Sequence, residues 1–255
     1  MSRFWKLACV CCGIWVGAAP IQAQSAAVHL ARGDSAYAAR NTTDALAHFL
    51  RAVEADSNSY EAQWKVSRVA VDRAEVEENR RAMDSLLTVG ERHAEAAVRL
   101  KPGDADGHFS LARALGRRAL SVGTRARISY SKIIRAEALA ALEADTTHAG
   151  ALHVLGMWNA EIMRVNGLAR AIARRFLGAQ VFAVANWAEA QRLLEAAVRL
   201  DPARIVHRLD LATIYADRGD KARARELFTW IAAAPIVEPN DDLYQRQAAA
   251  YLKKL

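Results

Sequence analysis

A six-residue segment that occurs twice is the feature that most constrains the fold of this chain. Glu-Ala-Ala-Val-Arg-Leu spans 95–100 and again 195–200, and Pro102 and Pro202 follow two residues after each copy. Ala, Glu, Arg and Leu favour helix and proline cannot continue one, so each copy predicts a helix end. A repeated helix end predicts a repeat architecture, in which neighbouring units stack to share one core.

Two weaker copies extend this pattern. Val-Glu-Ala-Asp at 53–56 and Leu-Glu-Ala-Asp at 142–145 have the same form, an apolar helix end followed by a polar stop. The four stops, which are Ser57, Pro102, Thr146 and Pro202, step by 45, 44 and 56 residues. We therefore expect repeat ends near 57, 102, 146, 202 and 236.

The sequence near the last stop predicts the inside of one unit. The small residues Ala212 and Ala224 allow two helices to approach closely, and Tyr215 and Phe228 fill the space between them. Gly219 takes the turn, where a positive φ costs glycine little. This spacing is that of a tetratricopeptide (TPR) repeat.

Alternating strand patterns are missing, and helix formers dominate the chain. The sequence therefore predicts an all-α, TPR-like α-solenoid of antiparallel helix pairs over residues 24–255. Residues 241–254 suit a C-terminal capping helix, with Asn240 as its N-cap. The steps exceed the usual ~34 residues of a TPR unit, so we expect longer helices or inserted segments.

The first 23 residues predict a secretory signal peptide. Arg3 and Lys6 precede an uncharged run at 7–19, Pro20 ends it, and Ala23 offers a small residue for cleavage. The run is shorter than the ~20 residues that span a bilayer. We expect a periplasmic or secreted protein cleaved after Ala23, with an uncleaved anchor as the alternative.

Removal of this segment changes the composition of the chain. All three cysteines lie in it, so the mature chain would have no disulfide, thiolate metal site or cysteine nucleophile. Loss of Arg3 and Lys6 lowers the formal net charge from +7 to +5. This mild excess favours acidic partners, but it is weak grounds for a nucleic-acid partner, which we do not expect.

The longest step contains a stretch that resembles a known family. His-Val-Leu-Gly-Met-Trp at 153–158, Phe-Leu-Gly at 176–178 and Leu-Asp-Pro at 200–202 are similar to the core of the regulator-of-microtubule-dynamics family. The resemblance covers roughly residues 60–255, with 166–186 as an insertion. It implies a TPR-like helical fold without catalytic activity.

Two features depart from that family. Met157 stands where the family usually has Arg, and an export signal stands where animal members have a membrane anchor or a targeting segment. The resemblance therefore supplies the fold and not a cytoskeletal role.

No pattern in the chain indicates an enzyme. The seven histidines form no His-Glu-x-x-His or other tight metal pattern, and no phosphate loop or nucleophile elbow occurs. We expect no catalytic residue, cofactor or metal. Arg170, Arg174 and Arg175 allow an anion site, although a solvated helix face is the simpler interpretation.

The first helix of each TPR pair lines the concave face of the stack. Aligned on the stops, nine residues are predicted to share this face: Trp64, Phe109, His153 and Leu209, then Arg68, Arg113, Met157 and Thr213 one turn on, and Arg117 a further turn on. An aromatic or apolar row beside arginines predicts a groove for an extended peptide or helix with acidic groups. If the register is displaced by one or two residues, these side chains are packing residues instead.

Two functions follow from this pattern. The first is a non-enzymatic scaffold that binds a protein or peptide on its concave face. The alternative is a carrier of an apolar small molecule or lipid, because the stretch 176–187 is apolar and the inner row is aromatic. A closed apolar cavity would favour the carrier, and an open groove would favour the scaffold.

Overall fold

The computed structural model describes residues 21–255, with side chains from Ser25 onward. This part of the chain contains α-helices and one short 3-10 helix, and no strand. The predicted all-α solenoid is confirmed. The predicted signal peptide falls almost wholly in residues 1–20, outside the described residues, so it stays a prediction.

The helices follow one another with short connections. Their bounds are α1 Ile21–Ala38, α2 Thr42–Ala55, α3 Tyr60–Val76, α4 Arg80–Leu100, α5 Ala105–Ala119, α6 Thr124–Ala144, α7 Ala149–Arg164, α8 Gly167–Phe176, α9 Trp187–Leu200, α10 Ile205–Asp217, α11 Lys221–Ala233 and α12 Asp241–Leu252. The 3-10 helix, Gln180–Val184, lies between α8 and α9.

The helices pack as five pairs. In each pair a first helix contacts a second one: α1 with α2, α3 with α4, α5 with α6, α7 with α9, and α10 with α11. The first helices α3, α5 and α7 also contact one another in order, so they form one layer of the stack. The last helix, α12, packs on α11 and α10.

The repeated sequence corresponds to a repeated helix end. The helices α2, α4, α6 and α9 each end one residue before a non-helical residue, whose amide donates to the carbonyl of an alanine four residues back. These alanines, which are Ala52, Ala97, Ala141 and Ala197, are fully buried. A larger side chain would not fit there, which explains why the sequence of the helix ends repeats.

The long steps have two structural causes. The second helices α4 and α6 are each 21 residues long. The largest step instead contains α8 and the 3-10 helix, inserted between the paired helices α7 and α9. Trp158 of α7 anchors this insertion, because its indole N–H donates to Ser131 and its ring meets Phe182 edge-on, with centroids 6.5 Å apart.

The turns inside the pairs show why Gly219 is a glycine. Gly219 has φ +83°, as the sequence predicts, and the amide of Asp220 closes the turn on the carbonyl of Tyr215. The corresponding turn between α1 and α2 places Arg40 at φ +61°, a conformation that is unfavourable for a residue with a side chain.

The last helix covers the final pair. Tyr251 of α12 stacks on the buried Phe228 of α11, with ring centroids 4.8 Å apart. Asn240 occupies the predicted N-cap position. Its side chain, however, makes no capping hydrogen bond to the helix. The Asp241 carboxylate instead accepts the amides of Val237 and Glu238, which fixes the bend before the helix.

Candidate functional site

Four of the nine predicted residues line one cavity. Trp64, Arg68, Phe109 and Arg113 meet on the face formed by the first helices, around an open cavity of about 310 Å³. The rest of the wall comes from α5, from the start of α7 and from the turns before α7 and α10: Asp106, Ser110, Asp145, Thr147, His148, Ala149, Gly150, Asp201 and Arg204. We call this cavity and the first-helix face around it the groove.

The aromatic part of the groove is fixed by the start of α7. The rings of Phe109 and His148 lie 4.8 Å apart, and a Cβ at Gly150 would come within 2.6 Å of Phe109. The Nδ1 atom of His148 accepts the Ala151 amide and so caps α7, which leaves Nε2 to donate to Asp106 at 3.3 Å. Only glycine at 150 gives the Phe109 ring this position.

The arginines of α5 are paired within the chain. Arg113 Nη2 lies 2.6 Å from the buried carboxylate of Asp72, and Arg117 pairs with Glu75. Burial alone would raise the pKa of the Asp72 carboxyl, but the charge and hydrogen bond of Arg113 outweigh it and lower the pKa. Arg113 and Arg117, which the sequence predicts on the partner-binding face, are thus already paired with acids of α3.

Arg68 is held differently. Its guanidinium stacks on the ring of Tyr37, 4.1 Å from the centroid, and its Nε donates to the Tyr37 hydroxyl at 3.1 Å. That hydroxyl donates in turn to Asp72 at 2.9 Å. Stacking orients the guanidinium, so its Nη2 edge remains directed at one further carboxylate, that of Glu238.

The segment 235–240 lies against the groove and supplies that carboxylate. Glu238 lies between two arginines, 3.4 Å from Arg68 Nη2 on α3 and 3.1 Å from Arg204 Nη2 before α10. Arg40, the residue with the unfavourable φ, donates to the carbonyl of Ile236 at 2.9 Å. One carboxylate of this segment, that of Glu238, thus lies between two arginines of the first-helix face.

Two further contacts hold the same segment on α3. The side-chain amide of Asn240 donates to the main-chain carbonyl of Asp72 at 2.9 Å. The hydroxyl of Tyr244, at the start of α12, donates to Glu75 at 2.9 Å. Sequence reasoning did not find these contacts, because they join residues about 170 positions apart and no local pattern encodes them.

The other five predicted residues do not line the cavity: Arg117 pairs with Glu75, and four more lie elsewhere. Leu209 and Thr213 are only 3% and 8% exposed, because α11 and α12 cover the α10 core to which Leu209 belongs. Met157 packs against the same core. His153 donates from Nε2 to Asp210 at 2.7 Å, and its Nδ1 lies 3.0 Å from His207 Nδ1. These four residues are packing residues in this structure.

The described residues contain no arrangement suited to a metal or a membrane span. Within residues 21–255, no three or more His, Cys, Asp or Glu side chains come together in a way that could hold a metal ion. None of the helices in that range has the length and apolar character to cross a bilayer.

The stacked helix pairs and the groove on their first-helix face define a TPR-type α-solenoid. The chain belongs to the family described as Regulator of microtubule dynamics protein 1-3, whose family model matches residues 29–255. The resemblance seen in the sequence is therefore confirmed. No curated protein gives a match.

Solved structures share this fold at low sequence identity. A thermophilic TPR protein of Thermus thermophilus superposes with a TM-score of 0.65 at 17% identity, over 89% of this chain and 99% of that chain. PilF of Pseudomonas aeruginosa gives 0.53 at 13% identity, over 91% and 90%. Yeast Tom70 gives 0.54 at 16% identity, and the match covers 92% of this chain but 40% of that protein.

Proposed function

We propose that this protein is a non-enzymatic, exported scaffold that binds an extended acidic segment of a protein partner in the groove. One observation carries the proposal: the chain's own segment 235–240 lies on the first-helix face with Glu238 between Arg68 and Arg204. The TPR-type fold and the family both point to a scaffold and not to catalysis.

The contacts of segment 235–240 support this proposal, because a bound peptide could use the same groups. A carboxylate between two guanidinium groups gives charge-assisted hydrogen bonds. The Asn240 side-chain amide on the Asp72 carbonyl adds a contact to the main chain of α3. Trp64 and Phe109, beside Arg68 in the same cavity, offer apolar surface for the partner's neighbouring side chains.

The described cavity gives less support to the carrier alternative. Its wall is open and holds three arginines and three aspartates, whereas an apolar ligand prefers an enclosed apolar pocket. The apolar stretch 176–187 is partly used for packing, since Ala179 and Phe182 are buried in the core around Trp158.

A peptide-binding measurement tests the groove directly. The probe is a fluorescent peptide with the sequence of residues 235–242, and the protein is the full chain carrying Glu238→Ala and Asn240→Ala. We expect this variant to bind the probe about tenfold more tightly than wild type, because its own segment no longer competes. Adding Arg204→Gln should abolish this binding, whereas Arg246→Gln on the exposed face of α12 should not. If the two arginine changes had equal effects, the probe would not bind in the groove.

A pull-down from an envelope extract tests the partner. The groove variant carries Trp64→Ala and Phe109→Ala, and the matched control carries Leu139→Ala and Trp230→Ala, two exposed apolar residues on second helices. We expect specific proteins to be lost from the groove variant and kept by the control. If wild type, groove variant and control recover the same proteins, the groove is not the partner site.

Export is proposed from the sequence of the first 23 residues. Cleavage after Ala23 would leave Gln24 as the first residue and keep the side chains of α1 that pack on α2, such as Leu30 and Tyr37. N-terminal sequencing of the protein from an envelope fraction should begin at Gln24. A protein that retains Met1 in that fraction would support the anchor alternative instead.

A further inference from the structure

The helix α8 exposes a row of large apolar side chains. Leu168, Ile172 and Phe176 are 74%, 46% and 74% exposed. They are spaced four residues apart, so they lie along one side of the helix. Three such side chains on ten residues are unusual for a surface that faces only water.

The row is held outward by contacts on the rest of the helix. Ala173 is buried in the core that contains Trp158. Arg170 donates from Nη1 to three carbonyls at the end of α7, those of Ile162, Met163 and Val165, at 3.2–3.3 Å. These contacts fix the rotation of α8 about its axis, so the apolar row is a rigid feature of the surface.

The charge around this row has one sign. Residues 166–186 contain three arginines and no acidic residue. Arg174 and Arg175 are exposed, and neither makes an ion pair with a side chain in the described range 25–255. The surface of α8 therefore combines apolar side chains with unneutralised positive charge.

We propose that α8 docks this protein on the surface of an anionic lipid bilayer. Leu168, Ile172 and Phe176 would enter the boundary between headgroups and acyl chains, and Arg175, which flanks this row on the helix, would meet lipid phosphates. A bilayer is the favoured occupant because the helix offers charge and an apolar row but no concave shape for a folded partner. This contact uses residues outside the groove, so it is independent of the peptide-binding proposal.

Hydrogen–deuterium exchange of the full chain tests the proposal at the helix itself. The probe is a vesicle of equal parts phosphatidylglycerol and phosphatidylcholine, compared with phosphatidylcholine alone. We expect amide exchange in 167–177 to slow by about tenfold on the anionic vesicles and little on the neutral ones, with the difference reduced at high salt. A local readout is needed because the apolar run at 7–19 could bind vesicles by itself.

Two variants separate the contributions of the helix. Replacing Leu168, Ile172 and Phe176 by Ser should remove the slowing, and Arg175→Glu should reduce it on anionic vesicles. A control with Val28, Val76 and Leu139 replaced by Ser, three exposed apolar residues on other helices, should behave as wild type. Exchange in 167–177 that is unchanged by vesicles would overturn the proposal. The proposal would also be overturned if the slowing of exchange persisted in the Ser variant. The same holds if a protein extract slowed exchange in 167–177 and vesicles did not.

Discussion

At the scale of single residues, the close approach of two helices depends on glycines at their contact. A Cβ on Gly156 of α7 would lie 3.0 Å from Leu194 Cγ and 3.2 Å from the Ala190 carbonyl oxygen, both on α9. The carbonyl belongs to the backbone and cannot rotate away. By contrast, a Cβ on Gly116 of α5 would meet no atom within 4 Å.

We therefore expect opposite effects from the same substitution at these two glycines. Gly156→Ala should lower the free energy of unfolding by about 2 kcal/mol, because overpacking costs more than the gain in helix propensity. Gly116→Ala should raise it by about 0.5–1 kcal/mol. Urea unfolding of both variants checks this, and a stabilised Gly156→Ala protein would show that α7 and α9 are less closely packed than described.

The buried ion pair between Asp72 and Arg113 gives a second residue-scale prediction. Asp72→Ala should destabilise the protein by about 3 kcal/mol, because it leaves a buried guanidinium without its main partner. The double variant Asp72→Leu with Arg113→Met should recover most of that loss. A double variant no more stable than Asp72→Ala would mean that the cost arises from lost packing and not from the unpaired charge.

At the scale of elements, the sequence predicts those features that depend on residues close together in the chain. Helix ends follow from a buried alanine and a polar stop, and the inner positions of α3 and α5 follow from counting along the helix from those stops. The burial of Leu209 did not follow from this count, because α12 packs on α10 and completes the core around Leu209. The acids opposite Arg113 and Arg117 were missed for a similar reason, since they lie on a different helix.

The segment 235–240 is the element with a distinct prediction. The side chains of Glu238 and Asn240 make most of its contacts with the groove, so Glu238→Ala with Asn240→Ala should speed amide exchange in 236–240 by about tenfold or more. Exchange within α11 should stay the same, because its core around Phe228 is untouched. Glu226→Ala, an exposed acid on α11, is the matched control. Unchanged exchange in 236–240 would mean that these side chains do not secure the segment.

At the scale of the whole molecule, buried neutral histidines link stability to pH. The ring of His93 has Gln63 Oε1 2.6 Å from Nδ1 and Arg92 Nη2 3.1 Å from Nε2, so the neutral ring donates to one and accepts from the other. Burial lowers its pKa to about 4, and burial also lowers the pKa of His207. A proton on either ring would face nearby positive charge or the protein interior.

Stability should therefore fall as the pH is lowered from about 6.5 to 4. In this window the unfolded chain binds protons that the folded rings do not, so unfolding is favoured. A pKa difference of one unit corresponds to about 1.4 kcal/mol. We expect His93 to contribute about 2 kcal/mol, somewhat less than its full pKa shift would give. His93→Gln keeps one donor and one acceptor and should flatten this part of the curve in urea unfolding. An unchanged pH dependence would exclude His93 as its source.

The carboxylate of Glu238 has a consequence for how the array comes apart. Repeat proteins usually unfold by fraying from an end, because each unit contacts only its neighbours. Here one side chain joins the second helix pair to the fifth, through Arg68 and Arg204. The last pair cannot fray without also releasing a contact near the start of the chain. The second and fifth helix pairs are thereby linked directly, and the two halves of the array should unfold cooperatively.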